Sequence, residues 1–139
     1  NSSLALFKDN GIRSFSKVLI AIRPGRRNKR FIDVADKICR HFGASLTLLN
    51  IVSETDSNQK IKRTEKSSTE LISETKSKSV VKIIKSNNPV EAISEESASY
   101  DLLILGTPEK DNWISVLFGA GEDRFVKKAA CSVLRLTIK

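Results

Sequence analysis

The stretch YDLLILGTPEKDNWISVLFGAGEDRFVKKAACSVLRLTIK, residues 100–139, decides the fold of this 139-residue chain. Residues 102–105 form a four-residue apolar run that Gly106 ends, which is the pattern of a parallel strand buried on both faces. Residues 132–138 are rich in β-branched and apolar side chains and predict a second strand. A loop and a short helix near residues 122–129 are predicted between them. We therefore expect a strand, a loop, a helix and a strand.

The rest of the chain repeats this alternation. Further apolar strands are predicted over residues 17–22, 46–52 and 80–84, and strands this hydrophobic must be covered on both faces. Helices are predicted between them because apolar residues recur at helical spacing (Phe31, Ala35, Ile38, Cys39 and Phe42) and because end signals flank them (Asn28, Gly43, and Asn88 with Pro89 and Glu91). The sequence therefore predicts an α/β fold: a single doubly wound, five-stranded parallel sheet flanked by helices, Rossmann-like in architecture.

Two segments are less strongly patterned. Residues 1–16 are expected to be a leader, either a linker or a short helix around residues 4–7, with the α/β domain covering residues 17–139. Residues 53–79 are polar and lysine-rich, and they predict either a solvated helix over about residues 59–76 or a long loop. The chain contains no Met and begins at Asn1, from which we expect a piece of a longer polypeptide.

Composition limits the class of protein. Hydrophobic residues make up 40% of the chain, which is enough for one core, and no apolar run approaches the roughly 20 residues that span a bilayer. The net charge of +8, from 24 basic and 16 acidic residues, favours a nucleotide, a nucleic acid or an acidic membrane surface as partner. A solubilising surface is the alternative. Aromatic residues are few and do not interleave with the basic ones, so nucleic acid ranks last.

The residues of catalytic chemistry are sparse. Cys39 and Cys131 lie in apolar contexts without a CxxC pair, as expected of reduced core cysteines in a cytosolic protein. His41 is the only histidine, so a zinc site is not expected. With no nucleophile elbow and no metal-ligand spacing, we expect a protein that is not an enzyme.

In a doubly wound sheet, ligands bind beyond the carboxyl ends of the strands, where the strand order reverses. The expected site is therefore built from the segments that follow three of the strands. The alternative is that the glycines serve only a strand-ending turn and a helix entry. The candidate residues are Ile22, Arg23, Arg26, Arg27, Val52, Gly106, Glu109, Gly119, Ala120 and Gly121.

Over residues 17–139 the chain resembles a universal stress protein domain. The resemblance rests on KVLIAI, GASLTLLNIV, NPVEAI followed by YDLLILG, and the ending FGAGEDRFVKKAACSVLRL. It implies the same α/β fold and a homodimer through the C-terminal strand. The apolar cluster of residues 113–118, which includes Trp113 and Phe118, is an expected part of that interface.

Members of that family that bind ATP carry glycine, two residues, glycine, nine residues, glycine, then Ser or Thr. They also carry an acidic residue at the end of the first strand. In this chain Gly106 and Gly119 keep the required separation of thirteen positions, but the middle position is Glu109 and the position after the third glycine is Ala120. The acidic position falls at Arg23.

These changes disfavour the ATP–Mg mode that the resemblance implies, because a carboxylate replaces a glycine and a hydroxyl donor is lost. Arg23 instead offers a bidentate phosphate donor. AMP or a cyclic dinucleotide, held without a metal by Arg23, Arg26 and Arg27, fits better than ATP.

Two functions follow. One is a cytosolic regulatory domain with weak or altered nucleotide binding, in the same chain as a membrane transporter of the amino-acid permease or cation antiporter type and tethered to the cytoplasmic face of the membrane. The alternative is a cytoplasmic stress-response protein that binds ATP or AMP.

Overall fold

The computed structural model describes residues 4–8, 15–21, 28–106 and 131–137. These residues form one six-stranded sheet in the order β1-β6-β5-β2-β3-β4. The strands are β1 (Leu4–Lys8), β2 (Lys17–Ala21), β3 (Ser45–Val52), β4 (Ser79–Lys85), β5 (Leu102–Gly106) and β6 (Ser132–Thr137). The helices are α1 (Asn28–Phe42), α2 (Asn58–Ile72) and α3 (Pro89–Ser97).

Strands β2 to β6 pair in parallel throughout, which confirms the predicted five-stranded parallel sheet. The chain first moves outward from β2 to β3 and β4, then returns to the other side of β2 to form β5 and β6. The order of the strands therefore reverses between β2 and β5, which is the switch point of a doubly wound fold.

The sheet has a sixth strand that the sequence analysis did not predict. Leu4–Lys8 was expected to be linker or helix, and instead pairs antiparallel with β6 in the register Leu4↔Thr137 to Lys8↔Val133. The physical reason is tertiary, because the outer edge of β6 offers unpaired backbone N–H and C=O groups that a short apolar segment can satisfy. An antiparallel edge strand on a parallel sheet is a common arrangement.

The helices cover both faces of the sheet. On one face α1 packs through Ile32 and Cys39, with Leu71 of α2, against apolar side chains of β2, β3 and β5. On the other face α3 packs through Ile93. Burying one such side chain contributes roughly 1.5–3 kcal/mol, so these contacts fix the helices on the sheet.

The prediction of a helix in residues 53–79 is confirmed by α2, and the alternative of a long loop is wrong. Ser68 is the one residue of α2 that is buried, so the weak apolar pattern reflects a helix lying largely in solvent. The predicted helix near residues 122–129 and the apolar cluster of residues 113–118 lie outside the described residues.

The helix-end signals are largely confirmed. Gly43 follows α1 with φ of 67°, a conformation that glycine adopts without a Cβ penalty. Asn88 caps α3 by accepting from the backbone N–H of Glu91 at 3.3 Å. The Glu91 carboxylate, predicted to close a capping box, accepts instead from the Asn88 side chain, because Ser86 Oγ already accepts from the Asn88 N–H.

One residue of the predicted apolar face of α1 is placed wrongly by the pattern. Phe42 is 43% exposed and contacts Phe15 edge to face, with 4.9 Å between ring centroids. It lies in the last turn of α1, where the helix ends and leaves the ring uncovered. Ile32, which the pattern omitted, is fully buried and packs against the sheet instead of Phe42.

Candidate functional site

The switch point places the ends of β2 and β5 side by side. Ala21 pairs with Leu105, and both residues are buried. The two strands run parallel to the same carboxyl edge of the sheet, where β2 ends at Ala21 and β5 at Gly106. The predicted site residues Ile22, Arg23, Arg26 and Arg27, and Glu109, Gly119, Ala120 and Gly121, lie in the two segments that follow, outside the described residues.

The structure describes the two remaining predicted site residues, and both end a strand at this carboxyl edge. Val52 ends β3 and is 6% exposed, and its carbonyl accepts from the backbone N–H of Ser86 at 2.8 Å. Gly106 ends β5 and pairs with Leu136 of β6. Two strand spacings, about 10 Å, separate β3 from β5, with the end of β2 between them. The two residues therefore end the strands on either side of β2, and their role in a site remains a prediction.

A hydrogen-bonded rim that the sequence analysis missed joins the loops after β3 and β4. Asn87 Oδ1 accepts from the hydroxyl of Ser53 at 3.0 Å and from the backbone N–H of Glu54 at 3.2 Å. The Asn87 amide in turn donates to the Glu54 carboxylate at 3.1 Å. The signal for this contact was the Asn87-Asn88 pair directly after an apolar strand, but its partner 33 residues away could not be read from the sequence.

The same rim fixes the start of α2. The backbone N–H of Ser53 donates to Asp56 Oδ2 at 3.0 Å, which closes a tight turn after β3. Ser57 then caps the helix by accepting from the backbone N–H of Lys60 at 3.2 Å. The Lys60 ammonium returns to Asp56 at 3.1 Å. The wall of the site on the β3 side is therefore a braced turn.

The carboxylates with shifted pKa values lie at the opposite, amino edge of the sheet. Asp101 Oδ2 accepts from the backbone N–H of Ser16 at 2.8 Å, from the Ser16 hydroxyl at 2.8 Å and from the backbone N–H of Lys17 at 2.9 Å. The Ser16 N–H is the largest cause that lowers the pKa of Asp101, and it outweighs partial burial. Asp101 therefore joins the starts of β2 and β5.

Asp36 makes a matching contact between α1 and the segment before β4. Its carboxylate accepts from the backbone N–H of Lys76 at 3.2 Å, and from the N–H and hydroxyl of Ser77 at 2.9 and 2.6 Å. Burial acts to raise the pKa of Asp36, but the Ser77 and Lys76 donors and the nearby Arg40 together hold it below its usual value. These bonds give it a structural role.

The described cysteines are free and buried, as predicted. Burial, with a smaller contribution from Asp36, raises the pKa of the Cys39 thiol to about 12. Burial also raises the pKa of Cys131, to about 11. Both sulfurs are therefore protonated at neutral pH and are poor nucleophiles. Within residues 4–8, 15–21, 28–106 and 131–137, no three His, Cys, Asp or Glu side chains are grouped to hold a metal ion.

Comparison with known families identifies one matching family over most of the chain. The model of the universal stress protein family matches residues 14–136. No curated protein matches the chain. In the described part of the chain, no helix is both long enough and apolar enough to cross a membrane.

Solved structures of universal stress proteins share the fold of this chain at low sequence identity. A universal stress protein in complex with cAMP is 17% identical, with a TM-score of 0.63 over 88% of this chain and 97% of that one. The universal stress protein from Archaeoglobus fulgidus in complex with dAMP is 14% identical, with a TM-score of 0.64 over 89% and 99%. Another structure from A. fulgidus is 13% identical, with a TM-score of 0.63 over 88% and 94%. At this identity the similarity establishes the fold.

Proposed function

The chain belongs to the universal stress protein family, and from that premise we propose that it binds an adenosine monophosphate at the switch point between β2 and β5. The observation that carries the proposal is the reversal of strand order there, with Val52 and Gly106 ending the flanking strands. Ligands of doubly wound sheets bind at such a point. Similar folds bind cAMP and dAMP, which supports the same class of ligand here.

The sequence around the site favours a monophosphate over ATP with Mg²⁺. Arg23 stands where ATP-binding relatives carry an acidic residue, and its planar guanidinium suits a single phosphate group. Glu109 replaces a glycine and adds negative charge where further phosphates would lie. We propose that Arg23, supported by Arg26 and Arg27, holds the phosphate while Val52 lies beside the base. A cyclic nucleotide would meet the same residues.

We further propose that the protein binds the nucleotide without catalysing a reaction on it. The described thiols are held protonated, and the sequence offers neither a nucleophile elbow nor a histidine pair. We expect the protein to sense the nucleotide, with a homodimer transmitting the bound state. In the described fold β1 pairs with the outer edge of β6, so a dimer through β6 requires β1 to leave that edge.

Calorimetric titration with AMP, cAMP, dAMP and ATP, with and without Mg²⁺, tests the proposal. AMP is expected to bind more tightly than ATP–Mg. Arg23→Ala is expected to weaken AMP about tenfold or more, because a charge-assisted hydrogen bond is lost. The matched control is Lys37→Ala, which removes an exposed positive charge from α1 and should leave binding unchanged. Tighter binding of ATP–Mg than of AMP would refute the assigned role of Arg23, Glu109 and Ala120.

The net charge of +8 supports a second proposal, that the domain regulates a transporter from the cytoplasmic face of a membrane. It ranks below nucleotide binding because charge alone favours it. Sedimentation with phosphatidylserine vesicles, compared with phosphatidylcholine vesicles, tests it. Equal recovery with both lipids would argue against this second function.

A further inference from the structure

A groove of about 550 Å³ lies between α1 and α2 on the β3 side of the sheet. Its floor is Asn50 of β3, and its walls come from Lys29 of α1 and from one side of α2. Asn50 is 5% exposed and occupies an inward-facing position that follows Leu46 and Leu48 on the same face of β3. An amide at the end of an apolar row is costly unless its polar atoms are satisfied.

The Asn50 amide is satisfied only in part. Its Nδ2–H donates to the hydroxyl oxygen of Ser68 at 2.6 Å, and Ser68 is 3% exposed. Among the residues that the structure describes, no donor reaches Asn50 Oδ1. If the amide were turned over and accepted from Ser68, its N–H groups would lack acceptors instead. Either way, a buried polar atom faces the groove with hydrogen-bonding capacity left over.

The charged walls of the groove fall into two groups. Lys29 contacts Asp33 at 3.1 Å and Glu74 at 3.2 Å, and Lys60 contacts Asp56, so these charges are already paired. Arg63 and Glu70 also line the groove, but neither side chain has an ion pair or hydrogen bond to another described residue.

Arg63 and Glu70 are seven residues apart on α2, so they lie on the same face of the helix, about 10 Å apart along its axis. The positive charge stands toward the start of the helix and the negative charge toward its end. The buried amide of Asn50 lies at the floor between these two walls. Among the described residues, the groove therefore presents a cation without an ionic partner, an uncharged polar floor and an anion without an ionic partner.

We propose that this groove binds a zwitterionic small molecule of about the size of a basic amino acid. Its anionic group contacts Arg63, its ammonium group contacts Glu70, and Asn50 with Ser68 hydrogen-bonds a polar group between them. A simple anion would leave Glu70 unpaired beside it, and a simple cation would leave Arg63 unpaired. A nucleotide monophosphate lacks the ammonium group, so the proposed ligand differs in class from that of the switch point.

L-Lysine is the probe, since its carboxylate and its side-chain ammonium group are several ångströms apart. Pentanoate and pentylamine carry one charge each and serve as ligand controls. Changes in the amide chemical shifts of ¹⁵N-labelled protein measure L-lysine binding. Changes confined to residues of α2 locate the bound L-lysine in the groove. Arg63→Gln and Glu70→Gln are each expected to weaken L-lysine about tenfold, as the loss of one charge-assisted hydrogen bond does. The matched controls are Lys66→Gln and Glu65→Gln, exposed on the same helix and outside the groove.

Four results would overturn the proposal. The first is the absence of saturable shifts in α2 with millimolar L-lysine. The second is equal binding of either one-charge control. The third is equal affinity of the Arg63 and Glu70 variants and their controls. Added AMP should leave L-lysine bound, whereas displacement would place both ligands in one site and refute a separate one. The L-lysine titrations of the protein and its variants contain no nucleotide, so failure of the nucleotide proposal affects only the competition with AMP.

Discussion

The amino edge of the sheet, where the parallel strands begin, and the carboxyl edge, where they end, are each stabilised by different hydrogen bonds. At the amino edge, the carboxylates of Asp36 and Asp101 each accept three hydrogen bonds from segments distant in sequence. At the carboxyl edge, Asn87 joins two loops through weaker bonds that are largely exposed. The bonds of Asp36 are charge-assisted and partly buried, whereas those of Asp101 and Asn87 are exposed. Charge-assisted bonds that are partly sheltered from water contribute more than exposed ones. The comparison indicates that the amino edge contributes more to the stability of the fold than the carboxyl edge, where we propose that the ligand binds.

The largest expected effect is at Asp36. Asp36→Ala should lower the free energy of unfolding by about 3 kcal/mol, because three donors lose a charged acceptor in a nearly buried position. Urea denaturation measures it. Asp33→Ala, an exposed aspartate of the same helix whose described partner is Lys29, is the control and should change little. Equal losses in the two variants would remove the distinction drawn for the amino edge.

The second largest effect is expected from acid, which should weaken the hydrogen bonds of Asp36 and Asp101 at the amino edge. The pKa values of Asp36 and Asp101 are lowered in the folded protein, so the stability they contribute is present above the unfolded value of about 3.9. It is lost as the pH falls through the lowered folded values. Urea midpoints measured between about pH 7 and pH 2 should show this loss. A variant carrying Asp36→Asn and Asp101→Asn should lose less over that range, and an unchanged slope would contradict the assignment.

The turn from α1 into β3 provides a smaller test of the amino edge. Gly43→Ala should cost about 1 kcal/mol, because φ of 67° is unfavourable for a residue with a Cβ. Apart from the neighbours of Gly43 in the chain, no described residue lies within 4 Å of the added Cβ, so we attribute the cost to backbone conformation. Gly43→Asn should lose less in thermal unfolding, since Asn tolerates this conformation. Equal losses would point to a different cause.

The smallest effect on stability is expected at the carboxyl edge. Asn87→Ala should cost roughly 0.5–1 kcal/mol, because the bonds that it removes are exposed. Its effect on AMP affinity should be larger in proportion, since it frees the loop that follows Val52. Calorimetry and urea denaturation of one preparation compare the two effects, with Asn58→Ala as the control. A loss of stability like that of Asp36→Ala, with unchanged AMP binding, would reverse the roles of the two edges.

The sequence predicted the parallel sheet well because its central strands are apolar on both faces, although the edge strand β4 has no buried residue. The run LLIL of β5 and the segment KVLIA of β2 need no partner to be recognised, since no other element of this length is so uniformly apolar. The capping residues Asn88 and Gly43 were equally readable, because a cap depends on a few adjacent positions. The strand ends Val52 and Gly106 were readable for the same reason, and their place in a site remains a prediction.

Other features escaped prediction because their partners are distant. LALFK, as residues 4–8, carries no feature that separates a strand from a short helix, and only the edge of β6 decides it. Asn50 and Ser68 are ordinary polar residues until β3 and α2 bring them within 2.6 Å. Predicted contacts of residues 22–27 and 107–130 lie outside the described residues and remain predictions.

By itself, the sequence determined the fold class, the positions of the core strands and the helix ends, because these depend on local periodicity and on the conformational preferences of single residues. Only the tertiary structure decided the sixth strand, the Asn87 rim, the carboxylate contacts of the amino edge and the polar groove beneath α2. These depend on hydrogen bonds and charges whose partners are up to 133 positions apart, as in Leu4↔Thr137. No local pattern of residues encodes such a pairing.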